Sequence, residues 1–242
     1  MFPTSWAEFH RRLILNFIEK DRWHYLVQGV LSTLRITFFA CLLGIAIGVV
    51  VAIIRASHDK NAATMRRGMP RIFLKIVNGI CKVYLTVIRG TPVVVQLFIM
   101  VLVIFSSQDK TFTAILAFGI NSGAYVAEII RSGIMSIDKG QFEAGRSLGF
   151  NYIQTMRYII LPQAFKNVLP ALANEFIVLL KETSVAGYVG VEDLTRGGQK
   201  ILGTTFDPLF VYIAIAGIYL TLVMFFTWLV GKLERRLQSS DH

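Results

Sequence analysis

The chain has little of what most active sites and secreted scaffolds are built from. Only two cysteines, Cys41 and Cys81, stand in its 242 residues. Both lie in or beside apolar stretches, so neither a disulfide framework nor a cysteine metal centre is expected. The four histidines, His10, His24, His58 and His242, are scattered without ligand spacing, and no cofactor is implied. No GxxxxGK[ST] loop occurs, so the chain lacks that means of binding ATP. It is not expected to be an enzyme in its own right, and any energy source comes from elsewhere. Charge is scarce as well: 17% of residues are Asp, Glu, Lys or Arg, against about 25% in an average soluble domain.

Apolar residues take their place. Hydrophobic residues make up 54% of the chain and the mean hydropathy is +0.57, which points to a bilayer as the solvent. The runs 26–54, 111–130, 169–188 and 208–230 are long enough for a hydrocarbon core of about 30 Å, which needs about 20 apolar residues. A shorter run, 93–105, follows an apolar lead-in at 72–88 that is broken by Lys75, Lys82 and the sequence Arg89-Gly90-Thr91-Pro92. The expected fold class is all-α: a polytopic membrane protein with about five transmembrane helices.

Basic residues set the expected orientation, because short cytoplasmic loops are enriched in them. Arg55, Lys60, Arg66, Arg67, Arg71 and Lys75 follow the first span. Arg131, Lys139, Arg146, Arg157 and Lys166 occupy the middle loop, and Lys232, Arg235 and Arg236 the tail. The opposite side has Lys110, Arg196 and Lys200, which predicts an outside N-terminus and an inside C-terminus. The formal net charge of +10 is then mostly a topology signal facing membrane lipid. Its dispersal, without a recognition motif, argues against a nucleic-acid partner.

Residues 1–25 divide from the rest. Trp6, Phe9, Leu13 and Phe17 recur at helical spacing, which predicts an amphipathic helix in the membrane interface. Glu8, Arg11, Arg12, Glu19, Lys20, Asp21 and Arg22 break any signal-type apolar core, so the segment is expected to be retained. Residues 26–231 form the expected transmembrane domain, and 232–242 a cytoplasmic tail.

Charged groups inside spans are costly and face a protein interior or an aqueous cavity. Asn121, Tyr125, Glu128 and Ser132 share one helix face by spacing, and Ser122 lies beside them. Glu175, Lys181, Glu182, Thr183 and Ser184 place both signs of charge on the next apolar run. A zwitterionic solute needs both signs, so these residues are pathway candidates. Two alternatives stay open: Glu128 with Arg131, and Lys181 with Glu182, are equally readable as structural pairs. Gly29, Gly44 and Gly48 read as close-packing positions.

Residues 141–170, QFEAGRSLGFNYIQTMRYIILPQAFKNVLP, form a polar segment between apolar runs. Residues 141–148 have the composition of a short helix, Gly149 can end it with a positive φ, and 151–160 can start another before Pro162. A plain connector would need no such bend.

Three stretches together resemble the permease subunits of bacterial ABC importers of the polar amino acid class. They are RGTPVVVQLF at 89–98, NSGAYVAEIIRSGI at 121–134, and Glu143-Ala144-Gly145 with Gly149, followed by Leu161, Pro162 and Gln163. The last is similar to that family's EAA motif, with Gly145 where Ala is more usual. The resemblance implies a type I permease fold with a helix-turn-helix coupling loop at about 134–166, in the bacterial cytoplasmic membrane. It gives Glu143, Ala144, Gly145, Gly149, Leu161 and Pro162 the role of coupling to cytoplasmic ABC ATPase subunits. It also implies a second permease subunit, the same or related, an extracytoplasmic solute-binding protein and an amino acid substrate imported by alternating access. The competing expectation is an ion-coupled secondary amino acid transporter with Glu128 or Glu175 relaying protons. Its usual mark is internal inverted repeats, and none is visible in the chain.

Overall fold

A computed structural model describes residues 5–61 and 69–238. Arg66, Arg67 and His242 lie outside the described residues, as does the side chain of Lys60. Among the described residues there is helix and no strand. The helices are α1 (Trp6–Leu13), α2 (Trp23–Asn61), α3 (Met69–Gly90), α4 (Val93–Phe98), α5 (Lys110–Met135), α6 (Lys139–Ser147), α7 (Tyr152–Thr155), α8 (Leu161–Glu182), α9 (Leu194–Thr205) and α10 (Pro208–Gln238).

Three of them, α2, α5 and α10, are long and apolar enough to cross a membrane. A fourth span is added if α3 and the helix running from Val93 to Ile104 count as one, although they bend by 106°. Of the about five spans expected, three or four are recognisable from helix length and composition among the described residues. Two causes are local. Proline disfavours helical backbone in the residue before it, so Pro92 stops α3 at Gly90 and a new helix starts at Val93. The expected run 169–188 is helical only to Glu182 and continues as a tighter 3-10 stretch, Thr183–Val189, which Gly190 ends with φ +80°. Lys166, Asn167, Asn174 and Glu175 dilute the apolar content of α8.

The chain divides into two compact units. The first holds Met1–Ala40, Val93–Phe118 and Ile177–Trp228; the second holds Cys41–Pro92, Gly119–Phe176 and Leu229–His242. In the first, Leu26, Leu194, Ile201, Val211 and Ile215 form a buried cluster, with Phe17 and Val30 packed on it. The backbone of α9 rests directly on the first turns of α2. A Cβ on Gly29 would lie 2.6 Å from the Leu194 Cα, and one on Gly197 would strike the Tyr25 carbonyl. Leu194 N donates to Thr33 Oγ1 at 3.1 Å. Asp193 caps α9, its Oδ1 accepting from Arg196 N at 2.8 Å.

The N-terminal segment belongs to this unit. Ser5 caps α1, accepting from Glu8 N at 3.2 Å. Phe9 packs on Phe210 with ring centroids 5.3 Å apart. Asn16, fully buried, donates to Arg12 O at 2.9 Å and to Asp207 Oδ2 at 3.1 Å. Trp6 remains 82% exposed, as an interfacial tryptophan would.

In the second unit α2 packs on α5 through small residues, the usual way membrane helices approach closely. Gly44 abuts Ser122, and Gly48 abuts Val126 and Ala127. Val51, Cys81, Leu85, Ala124 and Ala127 form the adjoining cluster, and Tyr84 Oη donates to Ile120 O at 2.6 Å. The glycines of α2 therefore serve packing.

Gly29→Val should lower the thermal midpoint of the detergent-solubilised chain, because overpacking against backbone costs about 1–3 kcal/mol. Gly217→Ala, where an added Cβ meets nothing within 4 Å, should leave the midpoint unchanged in the same tryptophan-fluorescence melt. Equal midpoints for the two variants would contradict the close approach at Gly29.

Candidate functional site

The segment from α6 to α8 is built as a fixed bend, and its hydrogen bonds account for the geometry. Asp138 starts α6, accepting from Gly140 N at 2.7 Å. At the other end Phe150 N donates to Gly145 O at 3.0 Å and Gly149 N to Arg146 O at 2.9 Å, with Gly149 at φ +79°. That pair of bonds is a Schellman termination, which requires a left-handed residue and so favours glycine.

The chain then re-enters helix at once. Asn151 Oδ1 accepts from Gln154 N at 3.0 Å while Gln154 Oε1 accepts from Asn151 N at 2.9 Å, a reciprocal capping box. The two short helices are pressed together at Gly145, which is buried. A Cβ there would sit 2.6 Å from Thr155 Cγ2. Ile137, Ile160 and Ala164 form the apolar floor, with Ile134, Phe142, Met156 and Ile159 packed on it. Gln163 Nε2 ties α8 back to Gln141 Oε1 at 3.2 Å.

The second helix starts before Pro162, as expected, and runs on through it. A π-helical stretch, Met156–Ile160, leads straight into α8. The wider turn lets the chain pass a proline that lacks an N–H and crowds the carbonyl four residues back.

The expected coupling residues divide by face. Gly145 is inside, while Glu143, Ala144, Gly149, Leu161 and Pro162 are exposed. Beside them stand two exposed apolar side chains, Leu148 at 69% and Ile153 at 75%. Tyr152, 39% exposed, stands at the same bend. Thr155, Gln141 and the cap at Asp138 were not singled out by the sequence reading. The Asn-x-x-Gln spacing of a capping box was the available signal for the Asn151–Gln154 pair.

The pathway candidates fall into both units. Asn121 and Ser122 are buried on α5, and Ser122 Oγ donates to the buried Glu175 Oε1 at 2.8 Å. Glu128 Oε1 accepts from Arg131 Nη2 at 2.6 Å and from Nε at 3.1 Å. Its other oxygen lies 3.8 Å from Arg89 Nη1. Tyr125, 37% exposed, has the Arg89 guanidinium 5.7 Å from its ring centroid, and Ser132 is exposed. The common face of Asn121, Tyr125, Glu128 and Ser132 thus runs from buried to open along α5.

Lys181, Glu182, Thr183 and Ser184 belong to the first unit. Lys181 is exposed and Glu182 and Ser184 are half-buried. Thr183 is buried and spends its hydroxyl on Leu180 O at 2.8 Å.

Comparison with known proteins adds identity to this geometry. The family model described as binding-protein-dependent transport system inner membrane component matches residues 44–239. The arginine transport system permease protein ArtQ of Bacillus subtilis is 36% identical over 90% of this chain and 94% of that one. The glutamine transport system permease protein GlnP of Escherichia coli K12 is 38% identical over 88% of this chain and 93% of that one. A crystal structure of an amino acid ABC transporter with histidines superposes with a TM-score of 0.79 at 35% identity, covering 97% of this chain and 100% of that one. An inward-facing MetNI methionine ABC transporter shares the fold at TM-score 0.71 and 21% identity, over 89% of this chain and 97% of that one.

Asn151→Ala removes the cap of α7 and should loosen the bend by about 1 kcal/mol. Limited proteolysis at 148–154 should accelerate several-fold while cleavage elsewhere keeps its rate. Unchanged cleavage at the bend would contradict the capping account.

Proposed function

The chain belongs to the inner membrane components of binding-protein-dependent transport systems, among the permease subunits of amino acid ABC transporters, and on that premise we propose that it forms the solute pathway of an ATP-driven importer. Two permease subunits, this chain with a second copy or a related one, enclose the pathway. Cytoplasmic ABC ATPase subunits drive it, and an extracytoplasmic solute-binding protein delivers the amino acid. The N-terminus lies outside and the C-terminus inside, with 1–25 in the interface, 26–231 as the transport body and 232–242 as a cytoplasmic tail.

The observation that carries this reading is the rigid, outward-turned bend at α6 and α7. A connector between spans has no need of a Schellman termination, a capping box and a glycine pressed on Thr155 within eleven residues, 145–155. A lever does, because a part that transmits force must not yield internally. Glu143, Ala144 and Gly149, with Leu148 and Ile153, supply the docking face for the ATPase. Gly145 keeps the two helices in fixed register, and Leu161 and Pro162 pass the displacement to α8.

Alternating access then couples the bend to the solute. Movement of α8 carries Glu175, and with it the hydrogen bond to Ser122 on α5. Asn121, Ser122, Tyr125 and Glu175 are proposed as solute-facing groups, and Lys181, Glu182, Thr183 and Ser184 are carried as separate pathway candidates. Glu128 is held by Arg131 and acts by positioning it. The solute class is a polar amino acid, as in the permeases of arginine and glutamine transport named above.

Reconstitution tests this. In proteoliposomes with the ATPase and the binding protein, uptake of labelled amino acid should require ATP. Glu143→Lys and Gly145→Val should each lower uptake roughly tenfold, within the range of an ordinary coupling free energy, while ATPase and permease still co-purify. Uptake that survives ATP depletion, collapses with an uncoupler and tolerates both variants would move ion-coupled transport into first place.

A further inference from the structure

The last turns of α3 carry two features to which the transport reading assigns no ligand. One is a cavity of about 490 Å³ lined by Arg55, Lys82, Leu85, Thr86, Arg89, Gly90 and Glu128. Against a volume share of about 30 Å³ per water, this is room for a headgroup. Three of its side chains are cationic and one is anionic. The carboxylate is already engaged, because Arg131 donates to Glu128 at 2.6 Å and 3.1 Å and Arg89 reaches it only at 3.8 Å. Neither Arg55 nor Lys82 has an ion pair among the described residues. The Arg55 Nε is moreover buried with no hydrogen-bond partner among them, and a charged donor in that position needs an acceptor. The cavity therefore has surplus positive charge and an unanswered donor.

The second feature lies alongside on the same helix. Ile76, Gly79, Ile80, Val83, Tyr84, Val87 and Ile88 line an almost wholly apolar groove of about 630 Å³. Ile76, Ile80, Val83 and Val87 are each more than half exposed. Gly79 leaves open space in it, since a Cβ there would meet nothing within 4 Å. Sequence neighbours join the two features: Lys82 with Val83, Thr86 with Val87, and Ile88 with Arg89.

Cations beside a hydrocarbon groove, in a chain that lives in a bilayer, match one ligand chemistry. We propose that Arg55, Lys82 and Arg89 bind the phosphate of an anionic phospholipid whose acyl chain lies in the groove along α3. Basic pockets between transmembrane helices are the kind of site that takes anionic headgroups. The phosphate answers the Arg55 donor, and Thr86 stands in the cavity wall beside it. Zwitterionic phospholipid fits worse, because its ammonium would meet the same three cations.

The test uses the full chain in detergent micelles and native mass spectrometry, with dioctanoyl phosphatidylglycerol and dioctanoyl phosphatidylcholine as probes. Phosphatidylglycerol should be retained in preference, and Arg55→Gln and Lys82→Gln should each weaken it roughly fivefold, the scale of one basic residue against an anionic lipid. Lys200→Gln, in the other unit, should leave retention as in the native chain. Both cavity variants are made so that loss of folding in one, read from its gel-filtration profile, leaves the other to decide. Equal retention of phosphatidylcholine, or native-like retention by a folded cavity variant, overturns the proposal. So does inorganic phosphate that binds as well as the lipid, which would make this a site for soluble anions. Displacement of phosphatidylglycerol by free amino acid overturns it too, and would assign the cavity to the solute pathway.

Discussion

A bilayer offers the backbone no water, so every N–H and C=O that enters it must be satisfied within the protein. The rest of this structure follows from that constraint. It makes the described chain helical throughout, and it confines departures from regular helix to places where a side chain or another turn supplies the missing partner. The break at Gly90, where Thr91 Oγ1 donates to Val87 O, and the 3-10 stretch Thr183–Val189 are such places. Both border residues with a proposed task, Arg89 at the first and Glu182 at the second. Charge obeys the same rule, with Glu128 held by Arg131 and Glu175 accepting from Ser122.

Packing without a hydrophobic driving force between helices depends on close approach, which explains how the glycines of α2 are used. Gly29 meets α9, while Gly44 and Gly48 meet α5. The N-terminal segment adds a different tie. The charged and amide groups of Arg12 and Asn16 reach Asp207, so the amphipathic helix is fastened to the start of α10 by polar contacts and by Phe9 on Phe210.

Much of this was legible in the sequence. Hydropathy located α2, α5 and α10, since long apolar runs depend on composition alone. The helix, turn, helix at 139–155 could be read from Gly149 and from the polar segment around it. The 106° bend between α3 and the helix after it was less legible. Pro92 marks where a helix ends but does not specify the direction of the next one. The end of α8 at Glu182 escaped because its continuation, Thr183 to Val189, is as apolar as a span. The π-helical stretch before Pro162 has no compositional mark. Side-chain pairs such as Ser122 with Glu175, 53 residues apart, depend on how helices pack, and no local pattern encodes that. The family motif named the expected coupling residues, but which of them face outward came only from the fold.

The bend at α6 and α7 is proposed as the face that meets the ATPase. It is tested most directly by cross-linking a single cysteine at Ala144, in a chain with Cys41 and Cys81 replaced, after co-expression with the ATPase subunit. A cross-link to the ATPase is expected from Ala144→Cys and none from Phe206→Cys, which is also exposed but lies in the other unit. A complex that assembles and transports yet yields no cross-link from Ala144→Cys, or one from Phe206→Cys instead, would contradict it.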